Sequence, residues 1–327
     1  MTGDDRLAPL VSVIIPVYNA AAYVRETVDS ALHQAYPNLE VIVVDDGSTE
    51  DLSWVAAAYG TRVRYVRKPN GGPASARNLG IRMASGAYLA FLDADDLWEP
   101  DKLRAQMDLL LRHPSVGLVY SAMSEIDEQG LLRQPSRGRH ARPSGDIAEA
   151  LFWHNWVPTS TVVIRKACLE QVGGFDEARE LISVEDYDMW LRIAERHEAL
   201  YVDQPLARYR LHAVGISRST DRSYSGEALV IERAVVRRGA GNPSVRRMYR
   251  RRLARLFFNW GHEHFTANRL REARAKFLVS LRHAPWNPRI WGFMAATFLS
   301  PACLGWVRRC RRRCAEPLQV AHGENAL

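Results

Sequence analysis

Between Tyr88 and Asp101 the sequence reads YLAFLDADDLWEPD, an apolar run that ends in three aspartates within four positions, Asp93, Asp95 and Asp96. In an extended segment alternate side chains share a face, so Asp93 and Asp95 are expected to point at one spot if the strand continues that far. Two carboxylates about 4 Å apart repel by roughly 4 kcal/mol at an effective dielectric of 20. A proton, a cation or water must relieve that repulsion. Oxygen ligands with no Cys or His close by favour Mg2+ or Mn2+, and Mg2+ commonly takes one or two carboxylates plus substrate phosphates. The plainer alternative is an acidic loop in which Asp96 or Glu99 caps a helix that starts at Pro100 and carries Leu103, Met107, Leu110 and Leu111.

Three other places carry residues suited to chemistry. Asp45-Asp46-Gly47-Ser48-Thr49 closes the apolar run Leu39 to Val44. The segment Asn70-Gly-Gly-Pro-Ala-Ser-Ala-Arg77-Asn78 has glycines that let backbone approach a ligand, a helix N-terminus with free N–H groups, and Arg77 one turn in. That combination makes an anion site, although Asn-Gly-Gly-Pro is also ordinary turn chemistry. Glu185-Asp186 opens a helix whose Met189, Trp190 and Ile193 face inward, and there Asp186, three residues after Ser183, reads as its partner in a capping box.

These residues need elements to hold them. Leu10–Ile15, Leu39–Val44, Arg62–Arg67 and the run from Tyr88 read as buried strands; Tyr23–Leu32, Asp51–Tyr59 and Ala74–Ala84 read as helices, with Asn19 as an expected N-cap of the first. Strands alternating with helices imply an α/β fold with a parallel sheet covered on both faces. Ligands bind beyond the carboxyl ends of such strands, so Asp45-Asp46 and Asp93-Ala-Asp95 converge there. Beyond residue 115 the alternation loosens: Val116–Ile126, Thr161–Arg165 and Ala199–Leu206 read as strands, Asp146–Trp153 as a short helix, and Arg208-Tyr-Arg-Leu-His212 as an exit loop. No GxGxxG and no GxxxxGK[ST] stands at these strand ends, which counts against dinucleotide and P-loop sites.

The chain has 327 residues, 47% of them hydrophobic, enough for one large or two modest cores. The polar, acidic start before Pro9 is not a secretory leader, so a cytoplasmic location is expected. Cys168, Cys303, Cys310 and Cys314 form no CxxC pair, so neither zinc nor a disulfide framework is indicated. The net charge of +7 conceals a division: residues 1–221 carry 23 basic and 31 acidic side chains, and residues 222–327 carry 21 and 6. An acidic body with a basic tail is not a nucleic-acid binder by composition, and the tail has neither a recognised nucleic-acid motif nor an aromatic platform.

Taken together, Val13-Ile-Ile-Pro-Val-Tyr-Asn19, Val43-Val-Asp45-Asp46-Gly-Ser-Thr49, the segment 70–78, Phe91-Leu-Asp93-Ala-Asp95-Asp96 and Glu185-Asp186 resemble glycosyltransferase family 2. The likeness spans about residues 10–215, and five motifs in order make it specific. It implies a GT-A fold, Rossmann-like, and an inverting, metal-dependent transfer from a nucleotide diphosphate sugar, most commonly a UDP-sugar, to an acceptor hydroxyl of a glycan or lipid-linked acceptor in cell-surface polysaccharide synthesis. On this likeness Asp45 is expected to contact the nucleotide base with Asp46 supporting it near the ribose, and Pro16, Tyr18 and Asn19 to line the same pocket. Arg77 is placed with the nucleotide, Asp93 at the ribose, and Asp95 on a Mn2+ or Mg2+ ion. Asp186 takes the place of the general base with Glu185 beside it, and His212 that of an exit-loop metal contact. No QxxRW follows Asp186, which separates the chain from processive members and favours single transfer. A catalytically silent nucleotide-sugar-binding scaffold that recruits partners through its basic tail is the alternative from another class.

The domain expectation is a tail at 1–9, a catalytic domain at 10–215 and a helical, Arg-rich region at 216–327. Ile290 to Val307 is eighteen residues without charge, flanked by Arg289 and by arginines 308, 309 and 311–313. Three readings stand open for it: an interfacial helix on an anionic membrane surface, a buried helix, or a span interrupted by Ser300-Pro301 and Gly305.

Overall fold

The computed structural model describes residues 8–133, 142–212 and 220–299. The N-terminal tail before Ala8, residues 134–141 and 213–219, and the apolar stretch beyond Leu299, with three of the four cysteines, lie outside the described residues. The chain divides into two compact units, the first ending at Ala240 and the second starting at Gly241.

The first unit is built on β1 (Val11–Val17), α1 (Val24–Leu32), β2 (Leu39–Asp45), α2 (Trp54–Tyr59), β3 (Val63–Arg67), α3 (Pro73–Met83), β4 (Tyr88–Phe91), β5 (Leu97–Trp98) and α4 (Lys102–Arg112). There follow β6 (Val116–Ile126), α5 (Ala148–Trp153), β7 (Val163–Arg165), α6 (Cys168–Val172), α7 (Glu185–Ala194), β8 (Glu198–Arg210) and α8 (Thr220–Arg237). One eight-stranded sheet has the order β3-β2-β1-β4-β7-β6-β8-β5. Its first four strands are parallel, as the alternation predicts, whereas β7 pairs antiparallel with both β4 and β6, and β5 antiparallel with β8. The sheet is therefore mixed. The departure begins at β7, which the chain reaches only after β5, α4, β6 and α5 and which inserts between β4 and β6.

Branched residues make β1 the centre of this sheet. Val11, Val13, Ile15 and Val17 pack toward Val24, Val28, Leu103, Met107 and Leu110, while Ile14 on the opposite face approaches Gly80 of α3 so closely that an added Cβ would lie 2.5 Å from its Cγ2. A strand buried on both faces reads as a continuous apolar run, and that is why it was visible in the sequence. Helix α8 belongs with this unit. Val230, Ile231 and Ala234 are fully buried, Arg233 pairs with Asp176, and Arg237 and Arg238 both pair with Glu195. The unit thus runs 25 residues past the sequence-based boundary at 215, because the buried face of α8 has its partners there.

The second unit contains α9 (Pro243–Thr266), α10 (Leu270–His283) and α11 (Pro288–Ala296). Phe265, Ala273, Phe277, Leu281, Ile290 and Met294 form its core. Asn242 and Asn287 cap α9 and α11, each side chain accepting an N–H two residues on, and each cap is followed by proline at the first helical position. No helix among the described residues is long and apolar enough to cross a membrane.

Candidate functional site

The carboxyl ends of β2, β1 and β4 lie side by side, since Val17 is in register with Asp45 and the Leu92 N–H reaches the Ile14 carbonyl at 3.1 Å. Asp45, fully buried, accepts the Ser48 N–H at 2.8 Å and the Tyr65 hydroxyl at 2.9 Å. Asp46 gathers the glycine loop: one carboxylate oxygen takes Lys68 Nζ at 2.5 Å and the Gly71 N–H at 3.0 Å, the other the Gly72 N–H at 2.7 Å. Gly72 sits at φ +88°, a conformation that disfavours any side chain, so the loop needs glycine there. Pro16 lies in β1 opposite Val44, and Tyr18 is half exposed just past the strand end. Asn19 is not the cap of α1; Tyr23 holds that position without a side-chain bond. Instead Asn19 adopts φ +50° and its amide oxygen accepts both the N–H and the hydroxyl of Thr49, tying the β1 exit to the loop after Asp46.

β4 ends at Phe91, so Asp93 and Asp95 are not alternate residues of a strand; they sit in a turn closed by the Asp96 N–H on the Asp93 carbonyl at 3.1 Å. The turn separates the three acids by role. Asp96 is buried and bonded to Ser160 Oγ at 2.5 Å and the Arg210 N–H at 3.0 Å, and burial followed by the charges of Asp95 and Asp93 pushes its carboxyl well above the usual range. Neither Asp96 nor Glu99 is a solvated cap: Asp101 precedes α4, and Glu99 pairs with Arg208. Asp93 points to Arg77, 2.8 Å away. Asp95 points to His212, with 2.7 Å between Oδ2 and Nε2, and the His212 ring rests against Tyr23.

Arg77 joins this turn to α7. It is buried, with one outer nitrogen on Asp93 and the other 2.6 Å from Glu185, and Phe175 lies beneath its guanidinium. Burial opposes its charge, but the two carboxylates overcome it and raise its pKa further. The sequence put Arg77 at an anion site; the structure gives it two carboxylate partners instead. Asp186, next in the chain, is not paired with Ser183 in a capping box. Ser183 is at φ +85° and its N–H goes to Glu185 at 2.8 Å. Asp186 instead accepts the Thr159 hydroxyl at 2.9 Å and the Tyr187 N–H at 2.6 Å. Burial, reinforced by the Glu185 charge, raises Asp186 to about 7, against the lowering effects of Arg77, Thr159 and the Tyr187 N–H. A carboxylate with that value is poised to accept a proton near neutrality.

One short turn, Thr159–Thr161, holds both sides together, and no sequence motif marked it. Thr159 reaches Asp186, while Ser160 reaches Asp96 and accepts the Asp93 N–H at 3.2 Å. Below it, Trp98 Nε1 bonds the Ser160 carbonyl at 2.7 Å and the Gln106 amide bonds the Thr161 carbonyl at 2.7 Å. Gln106 is in turn held by Lys102, wholly buried over the Trp98 ring and pushed well below the ordinary lysine range by burial. Arg210, buried at the end of β8, bonds the Asp95 carbonyl and Glu26 and so fixes the acidic turn from the other side.

The donor set at Asp95 can be tested against a divalent cation. Among the described residues no group of three or more His, Cys, Asp or Glu is arranged to hold a metal. The protein therefore offers two donors, the Asp95 carboxylate and His212 Nε2, with Asp93 adding negative charge. Burial and Asp93 raise Asp95, so a cation there would relieve an uncompensated charge. A single carboxylate completed by substrate phosphates is a usual binding mode of Mg2+, while the His212 imidazole is a softer donor than the oxygen ligands that ion prefers.

Residues 12–172 match the family described as Glycosyl transferase family 2. An uncharacterized glycosyltransferase of Rickettsia prowazekii is 37% identical over 211 residues, 63% of this chain and 65% of that protein, and one of Rickettsia typhi is 36% identical over 214 residues, 64% and 66%. The hyaluronan synthase of Pasteurella multocida is 36% identical over 57% of this chain, but that region is 19% of its own length. The matched region thus spans just under two thirds of the Rickettsia proteins and about a fifth of the synthase. Among solved structures, the mannosyltransferase PcManGT from Pyrobaculum calidifontis in complex with GDP-Man and Mn2+ has a TM-score of 0.61 at 22% identity, covering 96% of this chain and 83% of that one. S. aureus TarS 1-349 in complex with UDP-GlcNAc has 0.57 at 17% identity, covering 88% and 89%. These two likenesses concern the fold. With the fold shared and the sequence match running from β1 to α6, the chain belongs to glycosyltransferase family 2 and its first unit is a GT-A domain.

Proposed function

We propose that the first unit is an inverting glycosyltransferase that moves a sugar from a nucleotide diphosphate sugar, with a UDP-sugar as first choice, to an acceptor hydroxyl of a glycan or lipid-linked acceptor in polysaccharide synthesis. The observation that carries this is Asp186: a carboxylate raised to about 7, joined through Thr159-Ser160 and through Glu185 and Arg77 to the acidic turn 93–96. Inversion needs a base on one side of the anomeric carbon and charge stabilisation for the departing diphosphate on the other. Asp186 would take the acceptor proton. Glu185 and Arg77 hold the start of α7 against Asp93, which fixes the distance between base and donor. Asp45, Asp46, Asn19, Pro16 and Tyr18 would line the nucleotide pocket, with Asp93 at the ribose. Asp95 and His212 would hold Mn2+ or Mg2+, whose charge would stabilise the leaving diphosphate. PcManGT carries GDP-Man with Mn2+ and TarS carries UDP-GlcNAc, which supports a nucleotide-sugar donor here. The working location is the cytoplasmic side of a membrane, reached through the second unit.

The test is release of nucleoside diphosphate from UDP-GlcNAc, UDP-glucose and GDP-mannose with and without Mn2+. The wild type should release diphosphate from at least one donor only with the ion, and Asp186→Asn should bind that donor without turning it over. Binding with no turnover by the wild type under any acceptor would favour the scaffold instead; no binding at all would remove the nucleotide-sugar reading.

A further inference from the structure

The apolar stretch at the end of the described chain does not present one free apolar face. Ile290 and Met294 of α11 are buried in the core of the second unit, and Phe293 packs against it. What remains outside is different: Trp286 is 93% exposed, Trp291 54% and Phe298 69%. The turns after α11 continue its winding, with the Phe298 N–H on the Ala295 carbonyl and the Leu299 N–H on the Ala296 carbonyl. Positions 291, 295 and 298 therefore share a stripe turned about 100° from that of 290, 294 and 297. Trp291 Nε1 bonds the Pro285 carbonyl at 2.8 Å, which fixes its ring beside the turn bearing Trp286. Single exposed apolar residues are ordinary, but two tryptophans held together at the turn between α10 and α11 are not; Phe298 lies at the other end of α11, beside Arg274 at the start of α10.

The surroundings say what they face. Residues 241–299 contain twelve Lys and Arg against two Glu. Arg282 and Arg289 are exposed and stand before and after Trp286 in the chain, the Arg289 guanidinium resting over Phe258 at 4.9 Å, and Arg274 lays its guanidinium over Phe298 at 4.6 Å. Exposed tryptophans beside exposed arginines, on a unit with so large an excess of positive charge, match the headgroup layer of an anionic bilayer. We propose that Trp286 and Trp291, with the exposed Arg282 and Arg289 before and after Trp286 in the chain, form a docking surface for anionic phospholipid. It deepens the membrane-side placement given above and is independent of the transfer reaction.

The test uses the full chain without donor or acceptor, sedimented with phosphatidylcholine vesicles or with vesicles containing phosphatidylglycerol, in low and high salt. The wild type should sediment with the anionic vesicles, lose binding as salt rises, and shift its tryptophan emission to the blue. Trp286→Ala with Trp291→Ala should weaken binding by about tenfold or more, and Arg282→Gln or Arg289→Gln by about fivefold each. Far-UV circular dichroism keeps the variants honest, since none of these side chains lies in the core. Equal binding to both vesicle types, unchanged binding by the double tryptophan variant, a tryptophan-dependent dimer in place of vesicle binding, or displacement from vesicles by RNA would each overturn the proposal. Because no sugar donor is present, that failure would leave the transferase reading standing.

Discussion

At the scale of single residues, Asp186 decides what the site does with protons. Its carboxyl is raised to about 7 by burial first and by Glu185 second, so in the free enzyme it is protonated below neutrality and becomes a base as the pH climbs. The acidic limb of kcat/KM should therefore rise through about pH 7, and a flat profile between pH 5.5 and 8.5 would remove Asp186 from the role. Asp186→Asn should lower kcat by about 10²- to 10⁴-fold with donor affinity retained, as isothermal titration would check. Thr159 supplies a hydrogen bond that holds the Asp186 carboxyl down. Removing it with Thr159→Val raises the pKa of Asp186, so the acidic limb should move to higher pH; a shift to lower pH would contradict the geometry. The aspartates themselves could be read from the sequence because they interrupt apolar runs. Thr159 could not, since a threonine in an irregular turn, 27 residues from the aspartate it bonds, has no periodicity to mark it.

At the scale of elements, the site depends on how closely α3 lies on β1 and how α3 reaches α7. Gly80 meets Ile14 with no room for a methyl group, so Gly80→Ala should push the helix outward and cost ~1–3 kcal/mol in urea unfolding. Arg77 is the cross-link between α3, the acidic turn and α7. Arg77→Met keeps the volume but leaves the buried Glu185 with the Ser183 N–H and no counter-charge, a change of ~3 kcal/mol or more by the behaviour of broken buried pairs. Both units of the measurement matter here: chemical denaturation should show the lost stability, and turnover should fall because α7 no longer holds Asp186 against the turn. Up to residue 112 β1, β2, β3, α1 and α3 were legible to within a residue or two, since β1 and β2 are unbroken branched runs and α1 and α3 keep helical spacing, whereas α2 starts three residues later than its sequence suggests and the short β5 was not read at all. The turn at Asp93–Asp96 was not. A strand and a tight turn place the same residues within reach of one another, and only the partners Ser160, Arg77 and His212 distinguish them.

At the scale of the whole molecule, the first unit closes with α8 and not with the last strand. A chain ending at Ala240 should keep the stability of the first unit and any turnover it has, whereas one ending at 215 exposes the groups that face Val230, Ile231 and Ala234 and unpairs Asp176 and Glu195. Thermal unfolding of the two truncations would show the difference, and equal melting temperatures would place α8 outside the unit. By itself the sequence determined the acidic strand ends, the parallel half of the sheet and the charge division, because each is written as a local pattern of apolar runs, glycines and charges. The tertiary structure alone decided that Arg77 faces carboxylates, that Asp186 is buried beside Thr159, that β7 enters antiparallel and that Ile290 turns inward while Trp291 does not. Those outcomes rest on which surfaces meet across long stretches of chain, and burial, hydrogen bonding and proton affinity take their values only once the surfaces have met.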